Sequence, residues 1–447
     1  MSLTIDKQTL DDLNIFGRRN RDSIYTIFNH THTRGGAEVL EQLFRYPLSD
    51  AAAINRRSGI IKYFRERATA FPFKGDLFDA AEQYLSDTDE RSRLSLEDNT
   101  LRRKFDHLIG SDAEHQLVFK GIAALIEIFI KLRPFLQEVR GQGAAPYDEA
   151  AREMEALMHI PGMDTAWEES LPIKLRYDRA VEYDRVLRYA HREQVKKILQ
   201  HIYYLDVYIS VGMVAAHRGF AFPEAVEAEA HILRLDGVYH PQLSKPVPNS
   251  LYMAPDSNVV FLTGANMAGK STFMRSLGIA LFLAHTGFPV PAEKMVFSVC
   301  DALLTTINLP DDLNMGYSHF YTEVLRVKKM AAQLKRSGNI FIIFDELFRG
   351  TNVKDAYEAT VAVTAAFARK PNCMFVVSTH IIEAAETLAA RCRNINFVYL
   401  PTRMEGEKPV YTHRLEQGIS ADRHGMVIIH NEGILDLLRN GKKHTDL

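Results

Sequence analysis

The spacing of hydrophobic residues changes about halfway along the chain. From about residue 10 to 219, apolar residues recur three and four positions apart, as in amphipathic helices. From about residue 223, helical stretches alternate with short apolar runs, which are VVFLT at 259–263, IFIIF at 340–344 and MFVVS at 374–378. This alternation predicts a mainly parallel sheet flanked by helices. We therefore predict an α + α/β chain, with an all-helical domain over 1–225 and an α/β domain over 226–447.

The longest predicted helix covers 173–217, a stretch with no proline and one glycine, Gly212. A helix of roughly 40 residues in this stretch, at a rise of 1.5 Å per residue, would be about 60 Å long, the length of a lever or strut. Its basic residues Arg185, Arg188 and Arg192 are candidate contacts for DNA phosphates. The alternative is a solvated helix face on which neighbouring Asp and Glu residues pair with them.

Composition narrows the class of protein. The 447 residues are 46% hydrophobic and 25% charged, which is typical of globular domains with a core. The 54 basic and 56 acidic residues give a net charge of −2, which excludes a chain-wide basic surface for nucleic acid. None of the three cysteines forms a C-x-x-C pair, which excludes a disulfide framework and favours a cytoplasmic protein. The longest apolar runs are too short to span a bilayer, so we expect no membrane partner.

The strongest chemical signal is a G-x-x-x-x-G-K-[ST] motif between a predicted strand and a predicted helix. It predicts a P-loop, whose backbone N–H groups surround phosphates. Lys270 would reach the terminal phosphates of ATP, and Ser271 would bind Mg²⁺. The predicted ATP-binding residues are Gly264, Ala265, Asn266, Met267, Ala268, Gly269, Lys270, Ser271 and Thr272.

Two more strands end in residues suited to ATP hydrolysis. Asp345 and Glu346 follow the run 340–344, and we assign Asp345 to Mg²⁺ and Glu346 to the attacking water. His380 follows the run 374–378. Since the carboxyl ends of parallel strands share one crevice, His380 is predicted to contact the γ-phosphate. With Lys270, these residues form the predicted catalytic set.

Together these motifs resemble the ATPase domain of the MutS family of DNA mismatch-repair proteins. The chain contains, in order, TGANMAGKST at 263–272, Val290-Pro291-Ala292, Asp311-Asp312-Leu313, Ser318-x-Phe320-x-x-Glu323, Asp345-Glu346-Leu347 with Arg349-Gly350-Thr351, and Ser378-Thr379-His380. In the helical half, Asn29-x-Thr31-x-Thr33 and Gly36 are similar to the family's core, or lever, domain. The resemblance implies a lever domain followed by an ABC-type P-loop ATPase domain, without the N-terminal mismatch-reading domain.

The resemblance also implies how such a chain works. ATP would be hydrolysed with Mg²⁺ in a homodimer, in which Ser318, Phe320 and Glu323 of one subunit face the P-loop of the other. His413 stands where relatives place a histidine beside the base. ATP turnover would switch the conformation of a DNA-binding protein in mismatch repair or related DNA maintenance. Two alternatives remain open, an ABC-type ATPase subunit and a nucleotide-gated scaffold that does not act on mismatches.

The sequence departs from the family pattern in two places. Phe348 stands where the family usually has Gly, and Asn352 where it usually has Ser, which predicts different packing of the intersubunit loop. After His240-Pro241, the segment that would supply an aromatic residue for adenine reads Lys245-Pro246-Val247. Tyr252 or a non-aromatic contact would then serve the base.

Overall fold

A computed structural model of the chain describes residues 2–17, 22–87, 89, 92–95, 111–140, 145–163, 166, 169, 171–265, 267–307, 319–405 and 408–420. The helices in this part are α1 (Lys7–Asp12), α2 (Ile24–Phe28), α3 (Arg34–Arg45), α4 (Ala51–Glu66), α5 (Gly75–Ser86), α6 (Ser111–Val139), α7 (Asp148–Met158), α8 (Tyr177–Asp184), α9 (Arg192–Arg218), α10 (Lys270–His285), α11 (His319–Gln333), α12 (Val353–Ala368) and α13 (Ile382–Arg391). A π-helix, Arg185–Ala190, lies between α8 and α9.

The strands are β1 (Thr4–Ile5), β2 (Glu224–Val226), β3 (Leu233–Val238), β4 (Asn249–Met253), β5 (Val259–Gly264), β6 (Lys294–Ser298), β7 (Ala302–Thr306), β8 (Ile340–Phe344), β9 (Met374–Ser378), β10 (Ile395–Leu400), β11 (Thr402–Glu405), β12 (Lys408–Tyr411) and β13 (Glu416–Gln417). The three apolar runs read from the sequence as strands form β5, β8 and β9.

The chain divides into two compact units. The sheet unit comprises Met1–Thr26, Tyr46–Ser58 and Arg218–Leu447, and the helical unit comprises Ile27–Arg45 and Gly59–His217. The sequence predicted one boundary, at 225/226. The difference arises because the segments Met1–Thr26 and Tyr46–Ser58 pack with residues that are more than 150 positions away in sequence. The local spacing of hydrophobic residues does not predict contacts over such distances.

The sheet unit is built on a seven-stranded sheet with the order β1-β7-β8-β9-β5-β10-β13. All neighbouring pairs are parallel except β10 with β13. Every residue of β7, β8 and β9 is buried, as expected for central parallel strands covered on both faces. The mixed architecture with a mainly parallel sheet is therefore confirmed. A second sheet has the order β2-β6-β3-β4.

The first strand of the seven-stranded sheet comes from the N-terminus. Thr4 and Ile5 pair in parallel with Ala302 and Leu303 of β7, and α1 follows directly. The first 225 residues are thus not helical throughout, contrary to the prediction. A two-residue strand is too short to show an alternating pattern, so its partner, rather than its own sequence, determines its conformation.

The predicted helix over 173–217 is interrupted. The π-helix and a non-helical residue, His191 (φ −127°, ψ 24°), separate α8 from α9. Within the π-helix Arg188 is 3% exposed and donates to Asp184 at 2.8 and 2.9 Å and to the Ser92 backbone carbonyl oxygen at 3.0 Å. Arg188 is therefore not a DNA contact, because its guanidinium is enclosed by partners of its own unit. Arg185 is exposed and Arg192 is half-buried.

The long helix α9 is a core helix of the helical unit. By length and composition it could also cross a membrane, but 72% of its most apolar window is buried inside the protein. A buried helix of a soluble protein meets the same criterion, so this helix gives only weak evidence for a membrane span.

One buried carboxylate on α9 explains two residues of the motif Asn29-x-Thr31-x-Thr33 with Gly36, namely Thr33 and Gly36. Asp206 accepts hydrogen bonds from the backbone N–H groups of His32 (3.0 Å) and Thr33 (2.9 Å) and from the Thr33 hydroxyl (2.8 Å), where α3 begins. A Cβ atom on Gly36 would lie 2.5 Å from Oδ2 of Asp206. The carboxylate thus stabilises the turn at which α3 begins, and its position leaves no room for a side chain at residue 36.

Candidate functional site

The glycine-rich segment 264–272 connects β5 to α10. Gly264 and Gly269 have φ angles of +139° and +104°, which residues with a Cβ atom rarely adopt. A Cβ on Gly264 would lie 3.0 Å from the carbonyl oxygen of Leu400, and one on Gly269 would lie 3.0 Å from Nδ1 of His413. The backbone of the loop therefore requires both glycines of the motif.

Lys270 is the first residue of α10, and its side chain folds back over the loop. It is 5% exposed, and its Nζ donates to the carbonyl oxygens of Gly264 (2.8 Å) and Ala265 (3.1 Å). Burial lowers the pKa of the Lys270 ammonium, while the charges of Asp345 and Glu346 act in the opposite direction. Because an ammonium has three donors, Lys270 can bind a further acceptor without breaking either bond.

Three adjacent strands fix the acidic pair that follows β8. Ser378, at the end of β9, donates its hydroxyl proton to Oδ1 of Asp345 at 2.6 Å, and its Oγ accepts the backbone N–H of Glu346 at 3.0 Å. The N–H of Asp345 donates to the carbonyl oxygen of Thr306 in β7 at 2.8 Å. Asp345 and Glu346 are therefore anchored through both neighbours of β8.

Both carboxylate oxygens of Glu346 have basic partners. Oε1 lies 2.5 Å from Nε2 of His380, and Oε2 accepts from Nη1 of Arg349 at 2.9 Å. The hydrogen bond with His380 is the main cause that lowers the pKa of Glu346 to about 2; burial opposes it and Arg349 adds to it. Glu346 also has a left-handed φ of +52°, a conformation that the surrounding structure must hold in place.

A cavity of about 330 Å³ adjoins the P-loop. Its lining includes Lys245, Pro246, Val247, Phe273, Leu400 and His413. Nδ1 of His413 lies 2.9 Å from the carbonyl oxygen of Ala268, and Asn249 donates to the carbonyl oxygen of His413 at 3.0 Å. His413 is therefore fixed against the loop although it is far from it in sequence. Tyr252 is exposed on β4 and is not among the described residues that line this cavity.

The remaining predicted ATP-binding residues differ in exposure. Ala268 is buried, Met267 is 79% exposed, and Ser271 and Thr272 are half-buried in the first turn of α10. Asn266 lies outside the described residues.

The predicted signature segment reaches the described structure only at α11. Ser318 lies outside the described residues. The ring of Phe320 packs on that of Phe348 at a centroid distance of 6.0 Å, and Glu323 is 6% exposed. Both side chains thus face their own unit, where they support α11.

Ser271 and Asp345, predicted from the sequence to bind Mg²⁺, carry the oxygen donors that this ion prefers. Oδ1 of Asp345 is engaged by Ser378, and Oδ2 has no hydrogen-bond partner within the described residues. Over the same residues, no group of three or more His, Cys, Asp or Glu side chains could hold a metal. One hydroxyl and one carboxylate, completed by phosphate and water oxygens, form the kind of site that Mg²⁺ prefers.

Ser378 and Arg349 belong to the motifs found in the sequence, but the sequence alone predicts no role for either residue. Their contacts identify them as the residues that orient Asp345 and Glu346. The position of Ser378 at the carboxyl end of a buried strand, beside the strand that delivers the acidic pair, was the available signal.

Comparison with known proteins relates the C-terminal part of the chain to a described family. Residues 260–443 match the family model described as MutS domain V. DNA mismatch repair protein MutS of Geobacillus sp. (strain WCH70) is 30% identical over 265 residues, which are 58% of this chain and 30% of the relative. The MutS proteins of Persephonella marina (28%, covering 57% and 30%) and Petrotoga mobilis (29%, covering 58% and 32%) are similarly related. The chain thus spans about a third of the length of these curated relatives. Residues 260–443 therefore correspond to MutS domain V, and this segment is the basis on which the chain is related to the MutS family.

Proposed function

We propose that the chain is a P-loop ATPase that hydrolyses ATP to ADP and phosphate with Mg²⁺. One observation carries the proposal: Lys270, which follows β5, lies within electrostatic range of Asp345 and Glu346, which follow β8, at the carboxyl-end edge of one parallel sheet. A cavity of about 330 Å³ adjoins the P-loop at this edge. Ligands of open parallel sheets bind beyond this edge. The match of residues 260–443 to MutS domain V favours this function over that of a transport-type ATPase subunit.

The loop 264–272 and Lys270 would bind the phosphates, through backbone N–H groups, the N-terminus of α10 and the ammonium. Ser271 and Asp345 would hold Mg²⁺, which neutralises phosphate charge when bound. His413 and the cavity beside it would receive the base. The cavity is large enough for a purine, and its lining from 245–247 supplies aliphatic rather than aromatic contacts.

We assign Glu346 to the attacking water and His380 to the γ-phosphate. A carboxylate with a pKa of about 2 accepts protons poorly. If His380 turns from Glu346 to a phosphate oxygen, Glu346 loses the hydrogen bond that lowers its pKa most. Its basicity then rises at the moment when substrate is present, which couples the binding of ATP to the activation of water.

We further propose that two copies of the chain enclose ATP, with Ser318 and the N-terminus of α11 of one copy facing the P-loop of the other. A phosphate is stabilised by free N–H groups and by the positive end of a helix dipole. ATP would then hold the copies together, and hydrolysis would release them. This change would drive a DNA-binding protein in mismatch repair or related DNA maintenance, as the names of the relatives suggest.

The Glu346→Gln variant tests the ATPase proposal. We expect it to bind ATP, to hydrolyse it at least about 100-fold more slowly, and to accumulate as a nucleotide-bound dimer in light scattering. Glu358→Gln, an exposed change on α12, is the matched control and should behave as wild type. Rapid ATP hydrolysis by the Glu346→Gln variant would show that Glu346 does not activate the attacking water.

DNA binding is tested by gel shift with homoduplex, mismatched, branched and single-stranded DNA, each with and without ATP. Arg185→Ala should weaken binding and reduce the slope of log K against log salt by about one, as expected for one lost phosphate contact. Arg176→Ala, which removes another exposed basic residue that pairs with Asp178 at 2.9 Å, is the control. If the two variants bind DNA with the same affinity and the same salt dependence, Arg185 is a residue of a solvated helix face and not a DNA contact.

A further inference from the structure

The N-terminal helix α1 is fixed firmly on the sheet unit. The fully buried hydroxyl of Thr9 accepts the backbone N–H of Thr305 at 2.9 Å. Asp12, also buried, accepts the Thr305 hydroxyl at 2.7 Å and the N–H of Ile307 at 2.9 Å. Together with the pairing of β1 and β7, these bonds make α1 a rigid part of the sheet edge at the end of β7.

Asp6 precedes α1 and has two functions. Its Oδ1 caps the helix by accepting the backbone N–H of Thr9 at 3.0 Å. The carboxylate also accepts hydrogen bonds from both Nη atoms of Arg326 in α11. At the surface, Nζ of Lys329 lies 3.2 Å from Oδ2 of Asp6. Burial raises the pKa of Asp6, but Arg326 and Thr9 together hold it well below its usual range. The carboxylate is therefore charged when it meets Arg326.

Arg326 connects α11 to the sheet edge. It is 8% exposed and donates to the carbonyl oxygen of Thr305 at 2.7 Å as well as to Asp6. A buried guanidinium with a carbonyl as its main remaining acceptor is unfavourable, because a carbonyl supplies no compensating charge. Without the charge of Asp6, Arg326 is expected to move toward water, and α11 would move with it.

We propose that Asp6 is a positioning residue for ATP hydrolysis and that it acts in trans. Asp6 would hold α11 of its own chain in place, and the N-terminal end of this helix would contact the nucleotide bound by a second copy. The inference rests on the proposed dimeric ATPase. Arg326 lies two helical turns from the start of α11, so a displacement there moves the N-terminal end of the helix directly. A misplacement of about 1 Å can reduce a reaction rate by about 100-fold.

Mixed dimers test the trans action, and Asp6→Asn is the informative variant because Asn caps a helix about as well as Asp. Two differently tagged chains are co-expressed, and the mixed dimer is isolated by both tags. One subunit carries Lys270→Ala, so only the other subunit binds ATP. When Asp6→Asn is placed on the Lys270→Ala subunit, we expect kcat of the mixed dimer to fall by about 10- to 100-fold. The affinity of the active subunit for ATP, measured on its monomer, should stay unchanged.

The reciprocal dimer carries Asp6→Asn on the ATP-binding subunit and should keep the kcat of the dimer that has Lys270→Ala alone. Lys329→Gln, which removes the exposed partner of Asp6 but keeps Arg326, is the matched control and should leave kcat unchanged. Arg326→Lys is a second variant in case Asp6→Asn folds poorly. It keeps the charge but loses the planar fork, and it should also slow hydrolysis in trans.

The outcomes separate the two proposals. A wild-type chain that neither dimerises nor hydrolyses ATP would contradict the proposed function itself. An active wild-type dimer in which Asp6→Asn and Arg326→Lys have no effect, or slow only the subunit that carries them, would overturn the trans action of Asp6.

Discussion

The buried carboxylate of Asp206 should contribute a large part of the stability of the helical unit. It is 0% exposed and lies in the middle of α9, where it holds the turn that starts α3. Asp206→Ala removes all the hydrogen bonds that the carboxylate accepts from His32 and Thr33. Asp206→Asn keeps the volume of the side chain but turns an N–H₂ group toward backbone donors. The two changes separate the hydrogen bonds from packing.

The expected loss follows from the donors that would be left unpaired. Thr33 is buried, so its N–H (2.9 Å) and hydroxyl (2.8 Å) cannot turn to water when the carboxylate is removed. A hydrogen bond to a charged group contributes about 1.5–3 kcal/mol, so two such bonds predict a loss of about 3–6 kcal/mol for Asp206→Ala. In a unit of this size that corresponds to a fall in Tm of roughly 10 °C. Asp206→Asn should lose somewhat less.

Denaturant unfolding followed by circular dichroism measures this loss. Glu193→Gln, in the same helix, is the control, because Glu193 is exposed and pairs with the exposed Lys196 at 3.1 Å. That change should alter the free energy of unfolding by less than about 0.5 kcal/mol. If Asp206→Ala unfolds with the same free energy as Glu193→Gln, the reasoning from buried donors is wrong.

Three further predictions concern the sheet unit. Gly269→Ala should reduce ATP binding by at least about 10-fold in calorimetry, because φ is +104° and the added Cβ would lie 3.0 Å from His413. Phe348→Gly should destabilise the protein in thermal unfolding, because losing a buried aromatic side chain (about 3–5 kcal/mol) outweighs relief of its left-handed φ (about 1 kcal/mol). His380→Asn removes the main cause that lowers the pKa of Glu346 from 4.5 to about 2. Since that stabilisation is complete above about pH 4.5 and lost as pH falls toward 2, the difference in unfolding free energy between variant and wild type should shrink on acidification.

Residues whose roles depend on local backbone chemistry were predictable from the sequence. Gly264 and Gly269 follow from the conformations that a phosphate-binding turn requires, and β8 and β9 follow from continuous apolar runs. Parallel strands then bring Asp345 and His380 to one edge without any knowledge of the side chains between them. Short-range patterns thus supplied most of the candidate site.

Residues whose roles depend on distant partners were not predictable. Asp206 has the appearance of an ordinary polar residue in a helix, and Arg188 that of one basic residue among several on an exposed face. Only the contact of Asp206 with Thr33, and that of Arg188 with Asp184 and Ser92, shows that both are buried. The interruption of the predicted helix over 173–217 has the same origin, since a π-helix turns Arg188 inward without proline or glycine.

The departure at Phe348 has a physical consequence for the site. Its φ of +62° is the value a glycine would adopt freely, so the aromatic residue costs backbone strain, and burial against Phe320 offsets that strain. Phe348 stands two residues after Glu346, and Phe320 stands in the first turn of α11. Their contact therefore joins the segment that carries the proposed catalytic carboxylate to the helix that Asp6 holds through Arg326. Because α11 is fixed on both sides, a displacement of this helix must alter the packing beside Glu346, and the acidic pair and α11 should respond to nucleotide together.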